Sequence, residues 1–470
     1  MKISEKKSEN VFISEGKVHI RDQEIPYQVI SEEIMLDGKN SCPAASMFSF
    51  TYLRTDVKNP ETRPVIFVYN GGPGSSSHLL HVGFFGPERA KISGSAVLST
   101  VPPFEVEENP HCLLDLCDFV LIDPVGTGYA RLLISEATEE FFGVEQDASS
   151  FVLFIEDWLS RYDRWNSPRF ICGESYGTMR SAVLSDALMG GVAWERFSCI
   201  TLNGIIMMGS TLHLDTLGEQ PYVEPSVLNF ISYAAANWYH HGLSGQLEKF
   251  VEEAYAFSVN EYARALLLGD SLSPEEREAV IGKLHTFTGL PKEYFTENGL
   301  RLETRAFLSN AIGDRGLELG AYDSRVSLPK SEKIGQRDSF DDPSMANSNP
   351  AYASLFHSHF LKKLNIHLDR PYITTNIAAS IKWDWKCGRS PCQCLTASMR
   401  RNEKLRVMFA SGLYDLCTCA GYARYVIDQL SLPRDRVTRR EYEGGHMIYT
   451  REKAAAALAQ DLRTFISESI

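Results

Sequence analysis

Four short apolar runs in this chain each end at glycine. Pro64–Tyr69 stops at Asn70-Gly71-Gly72-Pro73-Gly74, and Phe119–Ile122 runs into Asp123-Pro124-Val125-Gly126-Thr127-Gly128. Arg169–Cys172 meets Gly173, and Leu405–Ala410 meets Ser411-Gly412. A run that short has no polar face, so each predicts a strand buried on both sides. Helical patterns lie between them: Phe151, Ile155, Trp158 and Tyr162 fall on one helix face. Strands that alternate with helices pack as a mostly parallel sheet with helices on both faces. Val18–Ile20, Ile25–Ile30 and Met47–Leu53 read as further strands ahead of the first run, and Glu452–Phe465 as a closing helix.

The middle of the chain breaks this rhythm. From Pro221 to Phe307 nearly everything reads as helix, with Leu247, Phe250, Val251 and Ala254 on one stripe. Ser273-Pro274-Glu275-Glu276 carries a capping serine, a proline at the first helical position and a glutamate at the third. Leu328–Pro350 reads as a polar loop. The expected organisation is an α/β core in two pieces, residues 1–215 and 376–470, with a helical cap and polar loop inserted at 216–375.

A net charge of −13 lacks the positive field that phosphate backbones need, so nucleic acid and anionic membranes are poor partners. The most apolar stretch, Cys199–Leu212, is too short to span a bilayer and contains Asn203 and Gly204. The N-terminal residues have no apolar core of the signal-peptide kind, so the expected location is the cytoplasm. Cys387, Cys392 and Cys394 cluster, as do Cys417 and Cys419, but not with the spacing of zinc sites, so the reading is isolated thiols or one local bridge and no metal. Cys172 reads as a buried strand residue.

Gly173-Glu174-Ser175-Tyr176-Gly177 follows a strand and opens a helical stretch, the setting of a nucleophile elbow. Such a turn lifts the serine hydroxyl above the sheet; a plain strand-to-helix turn is the rival reading. Serine needs a base, and the base an orienting carboxylate. His446 lies in the turn Glu443-Gly444-Gly445-His446-Met447 before the last helix, and the other histidines read mostly as surface residues. Asp415 follows the strand at 405–410. The chain order Ser175, Asp415, His446 is that of α/β hydrolases, and the insertion lies between nucleophile and acid. The glycine loop after Tyr69 brings backbone amides close to a ligand. The Gly72 and Tyr176 N–H groups are the expected oxyanion donors. A phosphate-binding loop is the weaker alternative, because no lysine follows in the required position.

Taken together, Asn70-Gly71-Gly72-Pro73-Gly74-x-Ser76-Ser77, Asp123-Pro124-x-Gly126-x-Gly128, Gly173-Glu174-Ser175-Tyr176-Gly177, Gly412-x-x-Asp415 and Gly445-His446-Met447 resemble the serine carboxypeptidases, in family order from residue 70 to 447. Gly177-Thr178-Met179-Arg180 and the helical middle look most like the bacterial branch. The resemblance implies an α/β-hydrolase fold and release of single residues from peptides with a free C-terminus, without cofactor; it is compatible with a homodimer. It implies that Ser175, Asp415 and His446 form the triad, and that Asn70, the Gly71 amide and Glu174 bind the substrate's terminal carboxylate. That last role requires a protonated Glu174, and so burial; a helix-start carboxylate satisfied by nearby amides is the plainer reading. The chain departs from the eukaryotic pattern at Phe84, where a second glutamate is usual, and at Tyr69 and Ser75, where Trp and Cys are. Arg180 could bind a carboxylate or pair with an acid in the structure. A serine esterase or acyltransferase on the same fold, and a non-catalytic binding protein, are the other readings: amidated peptides separate the first, and a fluorophosphonate probe the second.

Overall fold

The computed structural model of the chain describes residues 2–3, 10–92, 100–190, 199–213, 225–330 and 342–470. Its frame is a single large sheet. Strands β1 (Val11–Ile20), β2 (Gln23–Asp37) and β3 (Pro43–Arg54) pair antiparallel in sequence order. β1 alternates exposed and partly covered residues over much of its length, as a strand with one face in water does. The short strand Lys2–Ile3 also pairs with β2, and the sheet continues with β4 (Val65–Tyr69), β5 (Asp118–Asp123), β6 (Arg169–Glu174), β7 (Gly204–Met208), β8 (Arg406–Gly412) and β9 (Val437–Tyr442). β3 meets β5 antiparallel, and from β5 the order β5-β4-β6-β7-β8-β9 is parallel throughout. All six parallel strands therefore deliver their following loops to one edge, where ligand crevices form in such sheets.

Side chains along the buried strands alternate between two cores. Ile66 and Val68 of β4 face a core completed by Leu458, Leu462 and Ile466 of the C-terminal helix Glu452–Glu468. Val65, Phe67 and Tyr69 face the other, closed by helix α1 (Val144–Arg161) and helix α2 (Tyr176–Leu188). Phe151, Ile155 and Trp158 of α1 are wholly buried, as their spacing predicts. Trp158 packs edge-on against Phe67 with ring centroids 5.2 Å apart, and its indole N–H donates to Thr51 Oγ1 at 3.0 Å.

The helical middle includes Phe230–His241, Leu247–Phe257 and Pro274–Thr288, which bury their own aromatic cluster around Phe230, Tyr233, Phe257 and Tyr262. The Ser273 capping box forms in both directions, each bond 3.1 Å.

The apolar stretch at 199–212, too short for a membrane span, supplies β7, inside the sheet between β6 and β8. Two features differ from expectation. Part of the expected polar loop is helix, Pro343–Leu355, because Asp342 caps it by accepting the Ser344 amide at 2.9 Å and Pro343 takes the first position. From that helix onward Tyr352, Leu355, Phe356 and Phe360 pack into the core of the sheet, so the stretch assigned to the end of the insertion is built into the α/β unit. The expected boundary at 215/216 and residues 331–341 lie outside the described residues. Among the described residues no helix is long and apolar enough to cross a membrane.

Truncating Trp158 removes the largest side chain between α1 and the sheet. Trp158→Ala should lower unfolding free energy by about 3–5 kcal/mol, read from the denaturant midpoint at unchanged m-value. A loss below about 1 kcal/mol would contradict this packing.

Candidate active site

β6 ends at Glu174 and α2 begins at Tyr176, so Ser175 alone makes the turn. It does so at φ 59° and ψ −128°, a left-handed φ rare for a residue with a side chain. Its amide donates to the Met208 carbonyl at 2.9 Å, and its carbonyl accepts from the Thr178 amide at 2.8 Å and hydroxyl at 2.7 Å. The turn is this tight because position 173 has no side chain: a methyl group there would lie 2.1 Å from the Gly177 carbonyl oxygen. Ser175 is partly exposed while residues 170–174 and 176–188 are buried.

Asp415 is wholly buried after β8. Its Oδ1 accepts the Cys417 and Thr418 amides, both at 2.8 Å, and its Oδ2 accepts from His446 Nδ1 at 2.8 Å and from the Thr418 hydroxyl. Thr418 Oγ1 also lies 2.9 Å from His446 Nδ1. The His446 amide donates to the Tyr322 carbonyl at 2.6 Å, and the Tyr322 ring stands edge-on to the imidazole at 5.2 Å. Burial pulls the His446 pKa down, but the charge and hydrogen bond of Asp415 outweigh it, and the net shift is upward. With Nδ1 engaged, Nε2 is left for a substrate-side partner. Serine and histidine meet across one segment. Met208 holds the Ser175 amide, and the next residue, Gly209, packs so closely on the ring that a methyl there would lie 3.0 Å from His446 Cε1. No hydrogen bond joins Ser175 Oγ to His446 among the described residues, and such contacts often tighten only when substrate binds.

The glycine loop folds over the elbow. A methyl at Gly71 would lie 2.5 Å from the Tyr176 nitrogen and 2.7 Å from that of Gly177, so only glycine lets the two backbones approach. Gly72 has φ 104°. The far end of the loop is tied down by Asp123, whose Oδ1 accepts the Ser77 amide at 2.8 Å; Gly128 passes over the same carboxyl, where a methyl would be 1.9 Å from Oδ2. The Asp-Pro-x-Gly-x-Gly motif thus holds the loop. Neither the Gly72 nor the Tyr176 amide has a hydrogen-bond partner among the described residues.

Glu174 is buried beside the serine. Asn70 Nδ2 donates to its Oε1 at 2.7 Å, the Tyr449 hydroxyl reaches the same oxygen at 3.4 Å, and Oε2 is buried without a hydrogen bond. Burial pushes its pKa up to about 7, against the opposing pull of His446. The plainer reading, a carboxylate satisfied by helix-start amides, is not what the geometry has.

Arg180 has an acidic partner within the fold. It is wholly buried, pairs with Asp147 Oδ2 at 2.6 Å and donates to the Asn70 carbonyl at 2.8 Å, inside a cage of Tyr69, Phe151 and Tyr176 rings. It braces the loop. Phe84 is buried against Tyr449, ring centroids 5.8 Å apart. Thr418, Tyr322 and Tyr449 were missed in the sequence; only their nearness to Asp415 and His446 could have flagged the first and last. His78 and His81, expected on the surface, are buried behind the loop, where burial lowers their pKa values to about 4 and about 3. All ten cysteines carry free thiols, Cys172 among the buried ones.

A fluorophosphonate should therefore label the wild type at Ser175. Labelling should vanish in Ser175→Ala and slow by at least about 100-fold in His446→Ala, measured by intact-mass spectrometry. Equal labelling of wild type and Ser175→Ala would remove the serine from its assigned role.

The model of the family described as serine carboxypeptidase matches residues 42–460. Serine carboxypeptidase-like 26 of Arabidopsis thaliana is 27% identical over 142 residues, 29% of each chain. Serine carboxypeptidase 1 of Hordeum vulgare is 25% identical over 162 residues, 34% of this chain and 31% of its own. The chain thus matches about a third of these curated relatives' length. A prohormone-processing carboxypeptidase from Saccharomyces cerevisiae superposes with a TM-score of 0.57 over 97% of this chain and 92% of its own at 16% identity, a likeness of fold. That fold is the α/β hydrolase, and with nine-tenths of its length matched by the family model the chain belongs to the serine carboxypeptidase family.

Proposed function

We propose that the protein is a serine carboxypeptidase that removes the C-terminal residue of peptides through an acyl-enzyme. The observation that carries this reading is the buried Glu174 carboxyl next to Ser175, with Oε2 unpaired. A simple esterase has no need of an acid there. A carboxypeptidase needs a neutral donor for the substrate's terminal carboxylate, with Asn70 and the Gly71 amide beside it.

The steps follow from the geometry. Ser175 Oγ attacks the scissile carbonyl carbon while His446 Nε2 takes the hydroxyl proton. Asp415 steadies the imidazolium through Nδ1. The Gly72 and Tyr176 amides receive the oxyanion; one such donor typically contributes about 100- to 1,000-fold in rate. The C–N bond breaks as His446 returns the proton to the leaving amine, and the free amino acid departs. Water, activated by the same histidine, then hydrolyses the ester and restores Ser175.

The pH dependence has two sides. Below the raised His446 pKa the base is protonated and activity falls on every substrate. As pH rises through about 7, Glu174 ionises, stops donating and repels the terminal carboxylate, so only substrates with a free C-terminus lose activity. The ten free thiols suit a reducing compartment, and on that ground we place the enzyme in the cytoplasm.

Blocked dipeptides with free and amidated C-termini, compared by release of the terminal residue, test the reading. The free form should have a kcat/KM about 10- to 100-fold higher below pH 7, the size of one or two charge-assisted hydrogen bonds, and the gap should close above it. In Glu174→Gln the alkaline fall should disappear, because an amide donates at every pH. Equal rates on both forms, with simple esters split readily, would favour an esterase or acyltransferase. Absence of turnover on all of them would favour a binding protein.

A further inference from the structure

The carboxyl of Glu174 is met unevenly. Both protein donors, Asn70 Nδ2 and the Tyr449 hydroxyl, converge on Oε1. Oε2 is buried and has no hydrogen-bond partner among the described residues. A neutral carboxyl carries its proton on one oxygen only. Oε1 already accepts from the Asn70 amide group, which can only donate, so the proton belongs on Oε2, and the Tyr449 hydroxyl, able to donate or accept, then donates to Oε1.

Tyr449 is held in this position by close packing. It follows His446 by three residues, in the short turn Ile448–Thr450. Its ring lies in a gap opened by Gly83, in the helical turn His81–Phe85: a methyl at Gly83 would lie 2.5 Å from Tyr449 Cε2 and 3.3 Å from the Tyr352 hydroxyl. Phe84 packs on the same ring. The side chain is wholly buried, so its hydroxyl is not there to contact water.

We propose that Tyr449 is a positioning residue for the carboxylate subsite: with Asn70 it fixes Oε1 as the acceptor and so directs the Glu174 proton, on Oε2, toward the terminal carboxylate of the peptide. This rests on the carboxylate site proposed above and adds the group that orients it. Phe84 contributes only its ring here, so the phenol supports the carboxyl with no charge of its own. The other groups that face Glu174 are His446 and Asp415 from the loops after β9 and β8, Tyr352 from helix Pro343–Leu355, and Cys172 on β6 itself. Of these only His446 and Asp415 bring charge. The Tyr449 bond favours the ionised form of Glu174 and holds its pKa below what burial alone would set. Removing the hydroxyl therefore moves the alkaline limb upward in pH even as it loosens the subsite.

The test is Tyr449→Phe, followed by KM and kcat from pH 5 to 9 on paired peptides with free and amidated C-termini. The free-over-amidated ratio of kcat/KM should fall about tenfold below pH 7, the weight of one hydrogen bond, with the change in KM. The alkaline limb for the free peptide should move to higher pH. Gly83→Ala, which crowds the ring, should move the limb the same way with no change at residue 449. A purely structural role would lower both substrates together and leave the limb where it is, and that result overturns the inference. A wild type that discriminates between the peptides beside an unchanged Tyr449→Phe overturns it alone; a wild type that does not discriminate overturns the carboxylate site with it.

Discussion

One hydrogen bond joins the two halves of the site. Asn70 leaves the end of β4 and donates to Glu174 at the end of β6, 2.7 Å away. Through it the glycine loop and the nucleophile elbow share one geometry, and the rest of the site depends on that register. Arg180 braces the Asn70 carbonyl from below and is itself held by Asp147. Asp123 ties down the far end of the loop. Gly71 then rests against the Tyr176 amide, at the start of the helix that follows the elbow.

Burial decides the state of the acid beside the nucleophile: the Asn70 bond favours the ionised form, and desolvation outweighs it. Burying a carboxyl at the end of β6 costs solvation, and the cost appears as a pKa raised to about 7. Asn70 and Tyr449 both meet one oxygen of the carboxyl, and the other has no hydrogen-bond partner among the described residues. The buried ion pair Asp147–Arg180 lies just beneath and compensates its own charge, with three aromatic rings around the guanidinium.

Much of this was legible in the sequence because the constraints are backbone constraints. Runs without a polar face announced β4, β5, β6 and β8, and the glycines at their ends announced close approaches that the structure has at Gly71, Gly128 and Gly173. The carboxylate and imidazole at Asp415 and His446 could be paired from chain order. β7 was harder to read, since Gly204–Met208 lies in a longer apolar stretch whose Asn203 and Gly204 suggest no strand start. Helix Pro343–Leu355 was hidden by its Ser, Asn and Pro content, although the cap at Asp342-Pro343 was written in the chain. Thr418 and Tyr449 act through side-chain distance across the fold, which no local pattern encodes. Arg180 could be resolved only once its partner on α1 was known.

The central claim is that burial keeps Glu174 protonated near neutral pH so that it can donate to a carboxylate. Difference infrared spectroscopy of the wild type against Glu174→Gln, recorded across pH, observes that proton directly. The account predicts a protonated carboxyl band at pH 6 that is assigned to Glu174 and titrates away around pH 7. A Glu174 that is already a carboxylate at pH 5 would contradict it.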